Sequence, residues 1–265
     1  MKREIDVLNS IWYGEQSTSR DINSLKNTLP QITNEIECMI IIAELLKLGD
    51  FESKQLLIDL LNTAKDEEVL NFCIKLFCSV SSHKDLLNSE NLLFLSNVSE
   101  KNADTFASSA VYTLSYHVIP YLLALLEEWE DTSVEETIRN SLDIMLDYTD
   151  EIGEDATVEE IGELYYNTIK SINRDKYYYY LKPVFPGDLA RNLVEKSIIS
   201  LRSESPLNTH VIPSLLSIWS GLRCPVYYSL VINDAKYKEL INYVKTLSNL
   251  EWETGEKYFY GNKIN

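Results

Sequence analysis

The sequence predicts an all-α protein: antiparallel helical pairs stacked side by side, as a HEAT-like α-α superhelix or as an irregular helical array, with a short β-hairpin near the C-terminus. Three observations carry that prediction. Apolar residues recur at intervals of three and four, the spacing that keeps one face of a helix apolar. Only eight glycines and seven prolines interrupt 265 residues, few turn signals for that length. Ser, Thr, Asp and Asn stand repeatedly just ahead of apolar runs, where their side chains cap helix N-termini. A chain of this length buries roughly three quarters of its unfolded surface, so no staples are needed. We expect a single helical domain over 1–265, with a subdivision near 173–187 into an N-terminal helical-repeat part and a C-terminal helical part.

Element by element, Asn34 and Glu37 have capping-box spacing, and Ile36–Leu48 is apolar on more than one face before Gly49 ends it. Phe51–Leu61 and Asp66–Val80 form a helical pair, with Asp66 as N-cap of the second. Further helices are expected at Glu90–Val98 and Ala103–His117, and Pro120 opens one that runs to about Trp129, since a first-turn proline loses no helical hydrogen bond. Ser133 with Glu136 and Thr157 with Glu160 predict capping boxes for helices at Val134–Tyr148 and Val158–Ile172. Asp188, after the turn Phe185-Pro186-Gly187, is read as an N-cap for Asp188–Arg202. His210–Ser220 and Ala235–Leu247 follow as helices, with short strands at Val226–Ile232 and at the ends of Trp252–Tyr260, around Thr254-Gly255.

A shift of 65 residues places Leu57 on Leu122, Leu61 on Leu126, Asp66 on Asp131, Val69 on Val134 and Phe77 on Leu142. With the pair at 90–117 between them, the spacing becomes about 32 residues, the length of a stacked two-helix repeat. Ile119-Pro120-Tyr121-Leu122-Leu123-Ala124-Leu125-Leu126, then Asp131, looks like a HEAT-type repeat. Such stacks present a long continuous surface, suited to binding macromolecules.

Composition removes several functions. The formal charge of −17 disfavours nucleic acid and anionic membranes, because both bind through Lys and Arg. No apolar run approaches the ~20 residues of a membrane span. The N-terminus lacks the pattern of a secretory signal, so the chain is expected to begin at Met1 and to work in the cytoplasm. Four scattered cysteines are not a disulfide framework, and Cys73 and Cys78, five apart, would point about 140° from each other on a helix and are expected to pack. Phosphate-binding glycine loops and zinc-ligand spacings are absent, and His83, His117 and His210 sit near helix ends, so neither catalysis nor a cofactor is expected.

Charge concentrates in one stretch. Between Glu127 and Glu163 stand 15 carboxylates against Arg139, which is −14 of the −17. They are Glu127, Glu128, Glu130, Asp131, Glu135, Glu136, Asp143, Asp147, Asp150, Glu151, Glu154, Asp155, Glu159, Glu160 and Glu163. Glu136, Asp143, Asp147 and Asp150 fall on one face of the expected helix, with Val134, Ile138, Leu142 and Met145 on another. This belt, through Asp155, is read as the binding surface for a basic protein, with a plain solvated face as the alternative. Tyr177 and Tyr179, within Tyr177-Tyr178-Tyr179-Tyr180, are candidate anchors, or alternate tyrosines tucked under the next helix.

Four strings remain: Ile11-Trp12-Tyr13-Gly14-Glu15, Phe185-Pro186-Gly187-Asp188-Leu189-Ala190, Ile212-Pro213-Ser214-Leu215-Leu216-Ser217-Ile218-Trp219-Ser220-Gly221 and Lys257-Tyr258-Phe259-Tyr260-Gly261. Together they resemble an immunity-protein family of bacterial polymorphic toxin systems, that of immunity protein 47. The resemblance implies a cytoplasmic, non-enzymatic antitoxin that binds a cognate toxin, a basic nuclease-type domain being the partner that fits the acidity. A helical-repeat scaffold binding peptides or a cellular complex is the alternative. An enzyme of helical-repeat fold acting on nucleic acid is a third and would need a cationic concave surface.

Overall fold

The computed structural model describes residues 12–16 and 21–264, so Ile11 of the first string lies outside it. The described chain is mostly α-helical. In order, the helices are α1 (Ile22–Thr28), α2 (Glu35–Lys47), α3 (Lys54–Thr63), α4 (Glu67–Val80), α5 (His83–Leu87), α6 (Glu100–Ala110), α7 (Ile119–Glu128), α8 (Ser133–Leu146), α9 (Tyr148–Ile152) and α10 (Val158–Ser171). A two-stranded hairpin follows, β1 (Tyr178–Tyr179) with β2 (Lys182–Pro183). Then come α11 (Pro186–Ser203), α12 (Val211–Ser220), α13 (Asp234–Leu247) and a second hairpin, β3 (Tyr258–Phe259) with β4 (Asn262–Lys263). The chain folds into two compact units. A central unit comprises Thr28–Ile42 and Glu52–Pro183; a terminal unit comprises the described residues through Asn27, Ala43–Phe51 and Val184–Ile264.

In the central unit α3 packs on α4, α4 on α6, α6 on α8, and α7 on both α8 and α10. Polar side chains tie together helices that stand two apart in chain order. The Glu35 carboxylate accepts from the Asp66 N–H (3.1 Å), Lys54 pairs with Asp85 (2.6 Å), Ser99 donates to Glu67 (3.2 Å), Ser133 to Glu100 (2.7 Å) and Thr137 to Asp104 (2.6 Å). These partners are 31 to 33 residues apart, close to the spacing read from the sequence. Val134, Ile138, Leu142 and Met145 are all buried, as their spacing requires.

Several helix ends follow their caps. Asp66 accepts from the Glu68 and Val69 N–H groups, and Thr157 with Glu160 closes a full capping box. Elsewhere a side chain overrides the apolar pattern. Residues 90–98 are not an α-helix: 90–97 lie in the 3-10 segment Ser89–Asn97, kinked at Leu92, and Val98 after it is extended. The Asn62 carboxamide donates to the Glu90 carbonyl (3.2 Å) and accepts from the Phe94 N–H (3.0 Å), taking groups an α-helix would satisfy internally. Likewise 103–117 is not one helix: α6 ends at Ala110, Leu114 is left-handed (φ 55°), and the Ser115 hydroxyl accepts from the His117 N–H.

The expected box at Ser133 and Glu136 does not form, and a simple cap one residue earlier takes its place. Thr132 is the N-cap, Glu135 accepts from the Asp131 N–H (2.8 Å), and the Ser133 hydroxyl goes to Glu100. Asp188 is not an N-cap either: α11 starts at Pro186 with Phe185 before it, so the carboxylate lies in the first turn, where the helix dipole favours it. Val226–Ile232 forms no strand, only the isolated bridge Pro206–Val231. The C-terminal hairpin turns at Tyr260-Gly261, not at Thr254-Gly255.

In the terminal unit α11 packs on α12 and α13, and α12 on β3. The described residues of the N-terminal and C-terminal strings meet here. The Trp12 and Tyr260 rings stack at 5.9 Å, Tyr13 packs against Phe259 at 5.7 Å, and the Tyr260 hydroxyl donates to the Gly14 carbonyl (2.7 Å). Tyr260 and Gly261 donate their N–H groups to the Ile218 and Trp219 carbonyls (2.8 and 2.6 Å). Beneath them Lys47, fully buried, pairs with Glu44 (2.9 Å), donates to the Tyr13 carbonyl and lies 5.3 Å from the Tyr260 ring centre.

Candidate partner-binding surface

The acidic belt lies wholly in the central unit, from the end of α7 to the first half of α10. It is not one helical stripe. α8 stops at Leu146, because Asp147 takes a left-handed conformation (φ 55°) and the Asp143 carboxylate accepts from the Thr149 N–H (2.9 Å), starting α9 on a new axis. Glu136, Asp143, Asp147 and Asp150 therefore do not share a helical face.

Two groups of carboxylates are brought together. Glu135, Glu136, Asp143 and Glu154 line an open hollow of about 530 Å3, with Thr132, Asn140, Tyr148 and Thr149. Arg139 stands in its wall, bonded to Glu135 (2.7 Å) and to the Ala156 carbonyl (2.9 Å) and within reach of the Tyr148 hydroxyl. The Arg139 guanidinium and the Asp131 N–H hold the Glu135 carboxyl below the usual carboxylate range. The second group surrounds Asp147, whose pKa is pushed up by burial and by the charges of Asp150, Asp143 and Glu151.

Glu135 and Asp143 thus serve the fold, and so does Glu160 in its capping box. Glu136, Asp150, Glu151 and Glu154 are exposed. Glu127, Glu128, Glu130, Asp131 and Asp155 are exposed too, at the end of α7 and in connecting turns, outside the hollow.

Of the two candidate tyrosines, Tyr177 is only 4% exposed, stacked on His83 at 4.1 Å, so it cannot present itself to a partner. Tyr179 is half-buried, edge-on to Tyr180, and burial raises its phenol pKa. The side chain that does project is Tyr180. Sequence reasoning passed over it because strict alternation in an extended segment puts it with Tyr178, whose hydroxyl instead accepts from the Asn173 N–H (3.0 Å). The signal for it is the turn: chain reversal after Tyr179 ends the alternation.

Several other reactive groups are packed, although His210 is exposed and Cys38 half-buried. Cys73, Cys78 and Cys224 are buried, and burial pushes the Cys73 and Cys224 thiols up to about 12. His83 Nδ1 lies 2.7 Å from the Ser115 hydroxyl, and Ser115 is fully buried. Among the described residues no group of three or more His, Cys, Asp or Glu is placed to hold a metal ion, and no helix is long and apolar enough to cross a membrane.

The family model described as immunity protein 47 matches residues 7–264, nearly the whole chain. The chain belongs to the immunity protein 47 family. No curated protein and no solved structure matches it. Membership of the immunity protein 47 family supports an antitoxin role and implies a cognate toxin as partner. Immunity protein families are generally non-enzymatic.

Proposed function

We propose that this protein neutralises a cognate toxin of a bacterial polymorphic toxin system by stoichiometric occlusion, without catalysis or a cofactor, in the cytoplasm. Family membership is the observation that carries the antitoxin reading. The belt is its docking surface: exposed Glu136, Asp150, Glu151 and Glu154 concentrate negative charge on one stretch of the chain, which a cationic partner complements. A basic nuclease-type toxin fits, because a face built to hold phosphates is cationic and the same charge that attracts it excludes nucleic acid from this chain. The helix-to-helix bonds between residues 31 to 33 apart support reading the central unit as a HEAT-type stack, with the subdivision near 173–187 as its end.

The gene is expected directly downstream of one encoding a large protein with a toxic C-terminal domain. Co-expression with that domain should restore growth. Replacing Glu136, Asp150 and Glu151 with lysine should slow association about tenfold or more at low salt and flatten its salt dependence. An unchanged on-rate with full protection would remove the belt from the interface.

A further inference from the structure

The β1–β2 hairpin closes in the two-residue turn Tyr180-Leu181, with φ positive at both residues (46° and 58°). Such turns favour Asn-Gly, because the left-handed region crowds a Cβ against the following carbonyl. The β3–β4 hairpin provides an internal comparison. It has the same register, and in each hairpin a first-strand tyrosine hydroxyl accepts the N–H five residues upstream, Asn173 to Tyr178 (3.0 Å) and Glu253 to Tyr258 (2.9 Å). Its turn, Tyr260-Gly261, has glycine at the second position, and its tyrosine is only 5% exposed, stacked on Trp12.

Leu181 has neither advantage. It lacks the freedom of glycine and is 36% exposed, beside Tyr180 at 43%. Tyr180 rests edge-on against Tyr179, yet a large part of both apolar side chains at this tip still faces water, and burial against another molecule covers it. The surroundings select that molecule. α8 packs against β1, and the charges of its Asp143 and of Asp147 reach the Tyr180 phenol. An apolar tip beside carboxylates suits an apolar recess rimmed by Lys and Arg, and the same carboxylates repel an anionic membrane.

We infer that Tyr180 and Leu181 form the apolar anchor of the toxin-binding surface, seated in a recess of the basic toxin while the neighbouring carboxylates meet its rim. This rests on the antitoxin reading above. The test uses the full chain and a catalytically silenced form of the toxin domain encoded upstream. Leu181→Gly relieves the turn, so its thermal midpoint should rise while its affinity falls at least about tenfold, through faster dissociation. Tyr180→Ala should lose at least as much, and both should protect poorly at limiting expression. Because Leu181→Gly favours folding, weaker binding by it is not misfolding. Parent-like affinity and protection in both variants would overturn the anchor and leave the antitoxin reading standing. No binding by the unaltered chain would overturn both, and capture of the tip by anionic vesicles instead of the toxin would overturn the anchor.

Discussion

Asp147 shows how single residues divide between fold and surface. It ends α8 in a left-handed conformation that Asn adopts more readily than most residues, and burial, with the charges of Asp150, Asp143 and Glu151, holds its carboxyl pKa above the ordinary 3.8. A carboxyl with a raised folded pKa favours the folded state most below its unfolded pKa, and that advantage is lost as pH rises through the folded value. At neutral pH Asp147 is therefore a liability to stability. Asp147→Asn should raise the thermal midpoint near neutral pH, the gain shrinking as the pH approaches 3.8, while slowing toxin association. A lower midpoint would mean that the carboxylate has a structural partner outweighing the repulsion. Asp85 is the opposite case. Burial pushes its carboxyl up, but the Lys54 ammonium and the Ser82 N–H and hydroxyl outweigh that and hold it below the usual range, so its stabilisation is present above 3.8 and lost as pH falls through the lower value.

At the scale of elements, the sequence was most legible where local chemistry decided the outcome. Asp66 and Thr157 cap the helices their spacing announces, and Gly49 (φ 85°) follows α2 where expected. It was least legible where a distant side chain intervened, as Asn62 does at 90–94 and Glu100 at Ser133. Those bonds join residues about thirty apart, beyond the reach of any local pattern. The belt was legible as composition but not as geometry, because the break at Asp147 depends on one carboxylate, Asp143, turning to the next helix.

Glycines near the C-terminal hairpin test the same distinction. Gly261 (φ 81°) has open space where a Cβ would go, so Gly261→Ala should cost about 1 kcal/mol for the left-handed conformation alone. At Gly221 (φ 70°) a Cβ would lie 2.9 Å from the Tyr260 ring, which Trp12 and the Gly14 carbonyl hold in place. Gly221→Ala should therefore cost clearly more in urea unfolding followed by tryptophan fluorescence. Equal losses would show that the ring yields.

At the scale of the molecule, the described residues of all four strings that resemble the family fall in the terminal unit, and the belt with its hairpin tip falls in the central one. Trp12, Tyr13, Trp219, Phe259 and Tyr260 are spent on packing, backbone bonds and a buried lysine. The strings that resemble the family thus make the scaffold of one unit, although the family match itself spans 7–264, while the proposed choice of adversary is written in the other unit. Two relatives could share every one of those strings and still guard against unrelated poisons. Grafting 127–183 from one relative onto another should transfer protection along with the graft in a growth assay against both toxins, and protection that instead followed the scaffold would place recognition in the terminal unit.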